Sequence, residues 1–139
     1  MIILDTNVVS EVMRTEPNEA VLRWFDRQPA SSVWTTSITV YEIEFGLRRL
    51  PEGKRREALE LGFRDLVSED LGGRVLALDA EAALAAGALG AGLQARGTTV
   101  VVRDVMIAGI ARARQATVAT RNISDFENAC EAFNPWTDA

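Results

Sequence analysis

Four acids in this chain, Asp5, Glu42, Asp104 and Asp125, sit against apolar sequence that should hold them away from bulk water. Asp5 follows the branched run Ile2-Ile3-Leu4. Glu42 lies within Ile38 to Leu50, Asp104 precedes Val105-Met106-Ile107-Ala108, and Asp125 falls in the turn after Thr117-Val118-Ala119-Thr120. Most acids in a protein are solvated surface, so each one taken alone has that bland reading. Taken together they are harder to dismiss. Carboxylates held about 5 Å apart repel by roughly 3 kcal/mol per pair at an effective dielectric near 20, and a divalent cation relieves that strain. Oxygen-only ligands select Mg²⁺ or Mn²⁺ over zinc. One or two such ions can orient a water, lower its pKa and stabilise charge on a phosphodiester during in-line displacement.

The residues that are absent narrow the chemistry further. The chain has no histidine, which excludes a histidine general base, a Ser-His-Asp triad and a His-ligated metal. Cys130 is the only cysteine, so an internal disulfide and a cysteine-rich zinc site are excluded too; it reads as a small buried side chain. Lys54 is the only lysine among 15 Lys and Arg residues, which leaves carboxylates, hydroxyls, amides and arginines. The net charge of −5 argues against loose adhesion to nucleic acid, although a local arginine patch can still steer a phosphate chain.

A chain of 139 residues with 47% apolar and 25% charged side chains suits a single domain over 1–139. No apolar run approaches the roughly 20 residues needed to cross a bilayer, and the expected location is the cytoplasm. Ile2-Ile3-Leu4 reads as a strand buried on both faces, with Asp5 at its carboxyl end, where parallel sheets bind ligands. Capping of the next helix is an equally good reading of Asp5. Asn18 caps a helix from Glu19 to Arg27, Val33 to Thr36 forms a second strand, and Ser37 or Thr39 starts a helix through Leu50. In that helix Ile38, Tyr41, Ile43 and Phe45 predict burial on more than one side. Lys54 to Val67 forms an amphipathic helix and Arg74 to Leu78 a third strand. Asp79 caps an alanine-rich helix from Ala80 to Arg96, and Asp104 opens an apolar helix that must be nearly enclosed. Thr117 to Thr120 and Cys130 to Phe133 complete four to five strands. Alternating strands and helices imply a parallel sheet with right-handed crossovers.

Four segments then carry a family resemblance. Leu4-Asp5-Thr6-Asn7, Ser37 to Gly46 around Glu42, Asp104-Val105-Met106-Ile107-Ala108 and Ala119-Thr120-Arg121-Asn122 resemble, in order, the motifs of PIN-domain ribonucleases. The chain is most similar to the VapC-type toxins of toxin–antitoxin pairs, and Phe133-Asn134-Pro135-Trp136 resembles their FitB-like branch. The resemblance implies a PIN-like three-layer α/β/α fold around the parallel sheet. It also implies a Mg²⁺- or Mn²⁺-dependent endoribonuclease whose catalytic and metal-binding acids are Asp5, Glu42 and Asp104. Asn122 stands where some relatives carry aspartate and offers only a neutral oxygen, so Asp125 ranks as the supporting ligand. Thr6 and Thr120 are placed to hold metal-bound waters, or simply to cap and end their elements. Implied partners are RNA, a cognate antitoxin and a second copy of the chain, with DNA reached only through the antitoxin and no membrane.

The basic run Arg48-Arg49 and Lys54-Arg55-Arg56 is either a solvated helical face or a contact for RNA phosphates or the antitoxin. Arg103 pairs with an acid in the absence of RNA, touches phosphate, or is plain surface. Glu44 should point away from the site. The alternative to the nuclease is a noncatalytic PIN-fold module acting in a DNA-bound antitoxin complex. An aspartyl-phosphate receiver lacks its strand-end lysine, and a haloacid-dehalogenase-like phosphatase lacks a second aspartate where Asn7 stands.

Overall fold

The computed structural model describes residues 1–138 and shows five short strands, all parallel, with helices on both faces. β1 (Ile2–Leu4) lies at the centre, between β2 (Val33–Thr36) and β4 (Thr117–Ala119). β3 (Val75–Leu76) and β5 (Ala132–Phe133) form the edges, giving the order β3-β2-β1-β4-β5. The chain therefore winds outward from β1 to β3, then crosses to the other side of β1 for β4 and β5. Between β1 and β4 the winding reverses, which opens a crevice at their carboxyl ends.

The pleat explains the three layers. Successive residues of β1 point to opposite faces, and Ile3 and Leu4, both fully buried, enter different cores. Ile3 and Val118 pack under α5 (Ala80–Ala95) and α6 (Val102–Arg114). Leu4 and Ala119 pack under α1 (Thr6–Val12), α2 (Glu19–Arg27), α3 (Ser37–Arg49) and α4 (Lys54–Asp65). A strand buried on both sides has no polar face to show, hence the unbroken apolar run at the amino terminus.

Local chemistry sets the helix ends. Asn18 Oδ1 accepts from the amides of Ala20 and Val21, and Asp79 Oδ1 from that of Ala82, so both caps form as expected. The alanine-rich α5 lets α6 approach closely: a Cβ on Gly109 would lie 2.7 Å from both the Ala82 carbonyl oxygen and the Ala86 amide nitrogen. The apolar α6 is enclosed along Ile107 to Ala111.

Several boundaries differ from the sequence reading. The third and fifth strands shrink to two residues each, and α6 begins at Val102, so Asp104 is its third residue rather than its first. The larger correction concerns α3, whose buried residues are Thr39, Ile43 and Leu47, a single stripe at four-residue spacing. Tyr41 and Phe45 lie outside that stripe and are 62% and 52% exposed, so α3 is buried on one side only. Among the described residues no helix is long and apolar enough to cross a membrane.

Candidate active site

Asp5 is the first residue beyond β1, and the sheet's winding puts it at the head of the crevice. Asp5 caps the following helix and also lines the crevice. Its Oδ1 accepts from the Thr6 amide at 2.8 Å and caps α1, while Oδ2 accepts from Thr120 Oγ1 at 2.8 Å and Asn7 Nδ2 at 3.3 Å. Thr120 is the first residue beyond β4, so the two strand ends flanking the crevice are tied by one buried hydrogen bond. Asp5 is 7% exposed, and burial holds its carboxyl above the usual range despite these donors, with the Glu42 and Asp125 charges pushing the same way.

Glu42 arrives from the opposite direction, one residue before the buried Ile43 of α3. Thr6 Oγ1 donates to its Oε1 at 2.8 Å, and Arg103 of α6 donates to Oε2 at 2.7 Å. Asp104 sits in the first turn of α6, where burial, then the charges of Asp125, Asp5 and Glu42, raise its pKa from 3.8 to about 6; Arg103 opposes the shift. Burial does most to make this acid resist ionisation, and the three neighbouring acids add to it. Asp125 lies in the 3₁₀ turn Ile123–Phe126, anchored by the buried Phe126. Asp5, Glu42, Asp104, Asp125, Thr6, Asn122 and Arg103 all line one cleft of about 640 Å³.

The donor set fits a hard divalent cation, since every candidate ligand is an oxygen and the acids already perturb one another. Among the described residues no three acids stand close enough to form a ready-made cage.

Residues 2–132 match the PIN domain family, nearly the whole of the chain. The chain belongs to the PIN-domain family. The motif-based assignment is thereby borne out. The VapC ribonuclease Y4jK of Sinorhizobium fredii is 41% identical over 140 residues, covering 100% of both proteins. Toxin FitB of Neisseria gonorrhoeae is 35% identical over 139 residues, 99% of this chain and 100% of that protein. A solved structure of FitAB bound to an IR36 DNA fragment contains a similar chain at a TM-score of 0.89 and 34% identity, covering 100% of this chain and 98% of that one. The three-layer α/β/α fold around a parallel sheet is that of a PIN domain.

Within this PIN domain the basic run is dispersed. Arg48 and Arg56 are engaged with Glu44 and Glu60, each at 2.6 Å, and Arg49 lies 5.6 Å from the centre of the Phe45 ring. Arg55 lines an adjoining groove that shares Thr6 and Glu42 with the acid cleft. Glu44 points to the surface, as expected. Burial pushes the half-buried Cys130 thiol up to about 11.

The cleft also holds residues that sequence reasoning passed over: Asn7, Arg14, Arg121 and Trp136. Asn7 was placed in the first motif but given no task; its side chain links Asp5 to the Arg121 amide, which donates to Asn7 Oδ1 at 3.1 Å. A signal existed for Arg121, because it directly follows Thr120 at a strand end that borders the crevice. Trp136 stood in the closing Phe133-Asn134-Pro135-Trp136 segment, but only the turn after β5 carries it back over the cleft.

Proposed function

We propose that this PIN domain is a Mg²⁺- or Mn²⁺-dependent endoribonuclease toxin that hydrolyses RNA to a 5′-phosphate and a 3′-hydroxyl and is restrained by a cognate antitoxin. One observation carries the reading: four acids, from the end of β1, from α3, from α6 and from the turn after β4, line one cleft at the carboxyl ends of β1 and β4, where burial and then the neighbouring charges lift Asp104 to about 6. The ribonuclease name of the Sinorhizobium relative and the toxin name of the Neisseria relative agree with that chemistry. The solved complex of FitAB on DNA supports an antitoxin partner through which DNA is reached. A homodimer in the cytoplasm completes the reading.

Asp5 and Asp104 would hold the ion, with Glu42 and Asp125 turned toward it. When bound, the ion supplies positive charge to the phosphodiester and activates water for in-line attack. The protein's share is orientation. The Thr6 amide, Asn7 and Thr120 lock the Asp5 carboxylate in one rotamer, and Thr6 Oγ1 does the same for Glu42. Arg103 covers Glu42 and must yield it or share it when phosphate enters. Below about pH 6 Asp104 holds a proton at its carboxyl, and added positive charge in the cleft would favour its release.

The test is cleavage of structured RNA by the purified protein with Mg²⁺ or Mn²⁺, against EDTA and against Asp5→Asn. Cleavage should require metal and fall by at least about 100-fold in the variant, in the range of losing a group that acts on the reacting atoms. Equal cleavage by Asp5→Asn would overturn the assignment. Antitoxin and DNA binding without any metal-dependent cleavage would support the noncatalytic module instead.

A further inference from the structure

An acidic cleft in a protein of net charge −5 repels the polyanion that it has to receive, so some cation at its rim must be left over for the substrate. Three arginines line the cleft. Arg14 lies 3.4 Å from Glu11, and Arg103 lies 2.7 Å from Glu42. Of these three, Arg121 is the one without a carboxylate partner among the described residues; its guanidinium instead lies 5.0 Å from the centre of the Trp136 ring. The contact keeps the charge intact while restraining a long, entropically expensive side chain.

The backbone around this pair is fixed as well. The Arg121 amide donates to Asn7 Oδ1 at 3.1 Å, and its carbonyl accepts from Asn134 Nδ2 at 3.2 Å. Asn134 Oδ1 in turn accepts from the Trp136 amide at 2.8 Å. Asn134 thereby holds both members of the stack at once. Through Asn7, which also donates to Asp5 Oδ2 at 3.3 Å, the arginine is referenced to the acid at the heart of the cleft. A cation held over an indole, with no side-chain hydrogen bond of its own among the described residues and a backbone tied to the catalytic acid, is suited to a phosphate oxygen at a set offset from the bond being cut.

We propose that Arg121, held by Trp136 and Asn134, is the RNA-phosphate contact of this cleft and grips the backbone next to the phosphodiester that is hydrolysed. Trp136 is a positioning residue. The inference rests on the ribonuclease reading and adds to it the group that orders the substrate; neither Arg121 nor Trp136 takes part in the bond change.

The test compares the full-length parent with Arg121→Gln, Arg121→Lys, Trp136→Phe, Trp136→Ala and the remote control Arg23→Gln. Anisotropy of a labelled single-stranded oligoribonucleotide in EDTA, at several salt concentrations, gives affinity and its salt slope apart from turnover. Arg121→Gln should weaken binding roughly tenfold, the loss of one charge-assisted contact, and should flatten the slope of log K against log salt by about 0.7, one phosphate on a single strand. Arg121→Lys keeps the slope. Trp136→Ala should weaken binding roughly threefold with the slope retained, while Trp136→Phe and Arg23→Gln behave as the parent. In metal-activated turnover Arg121→Gln should raise KM with kcat little changed. If the parent binds and cleaves RNA but Arg121→Gln keeps its affinity and slope, Arg121 is not the contact and the ribonuclease reading survives. If the parent neither binds nor cleaves RNA, both fall.

Discussion

Asp104 gains a proton about two pH units above an ordinary aspartate because half-burial and three neighbouring carboxylates penalise its charge. Its pKa is higher in the folded than in the unfolded protein, so the stability it contributes is present below pH 4 and is lost as pH rises through about 6. Metal-free protein should therefore lose stability between pH 4 and 7. Asp104→Asn should remove part of that slope and stabilise the metal-free protein at pH 7 by about 1 kcal/mol, a figure reduced for the solvent screening of a half-buried group. Urea titrations of both proteins in EDTA at several pH values check this. Asp5→Asn tests the other acid. Asparagine keeps an acceptor for the Thr6 amide, so the cap survives, and the metal-free variant should be no less stable than the parent. A large loss would mean that the Thr120 and Asn7 donors on Oδ2 need a full carboxylate.

The elements are held by contacts that a single residue can break. Gly109 on α6 faces the Ala82 carbonyl and the Ala86 amide and Cβ on α5, all 2.7 Å from where its own Cβ would stand. Gly109→Ala gains up to about 1 kcal/mol of helix propensity, but the obstacles include backbone atoms, and forcing them apart costs typically 1–3 kcal/mol or more. The expected net effect is a loss of stability in denaturant titration. Because α6 carries Asp104 and Arg103 at its start, displacement of this helix should also weaken metal binding. Asn18→Ala at the start of α2 offers a contrast: it should cost about 1 kcal/mol and leave metal affinity unchanged, as α2 contributes nothing to the cleft.

Across the whole molecule, the acids come from separate layers. Asp5 belongs to the sheet, Glu42 to the helices over Leu4, and Asp104 to the helices over Ile3. An ion bound among them ties the three layers together, so it acts on global stability and not on one loop. Mn²⁺ or Mg²⁺ at about 10 to 100 times its dissociation constant should stabilise the fold by roughly 1.4 to 2.7 kcal/mol. Asp5→Asn should lose most of that gain. Thermal melts with and without metal decide it, and they do so without any RNA.

Much of this was legible in the chain. Ile2-Ile3-Leu4 announced a strand buried on both faces, Asn18 and Asp79 announced their helices, and the four motif segments announced the family, because burial pattern, cap chemistry and short motifs are properties of neighbouring residues. The sequence determined by itself that the site is built of oxygen donors without histidine, which limits the metals it suits. Tertiary structure alone decided that Tyr41 and Phe45 face outward, since a helix's exposed side depends on what packs against the other. It alone brought Arg121 and Trp136 together over the acids and tied up Arg48 and Arg56 with their own helix neighbours. Those outcomes depend on where the winding of the sheet reverses, and the point of reversal joins residues more than a hundred positions apart, such as Asp5 and Thr120.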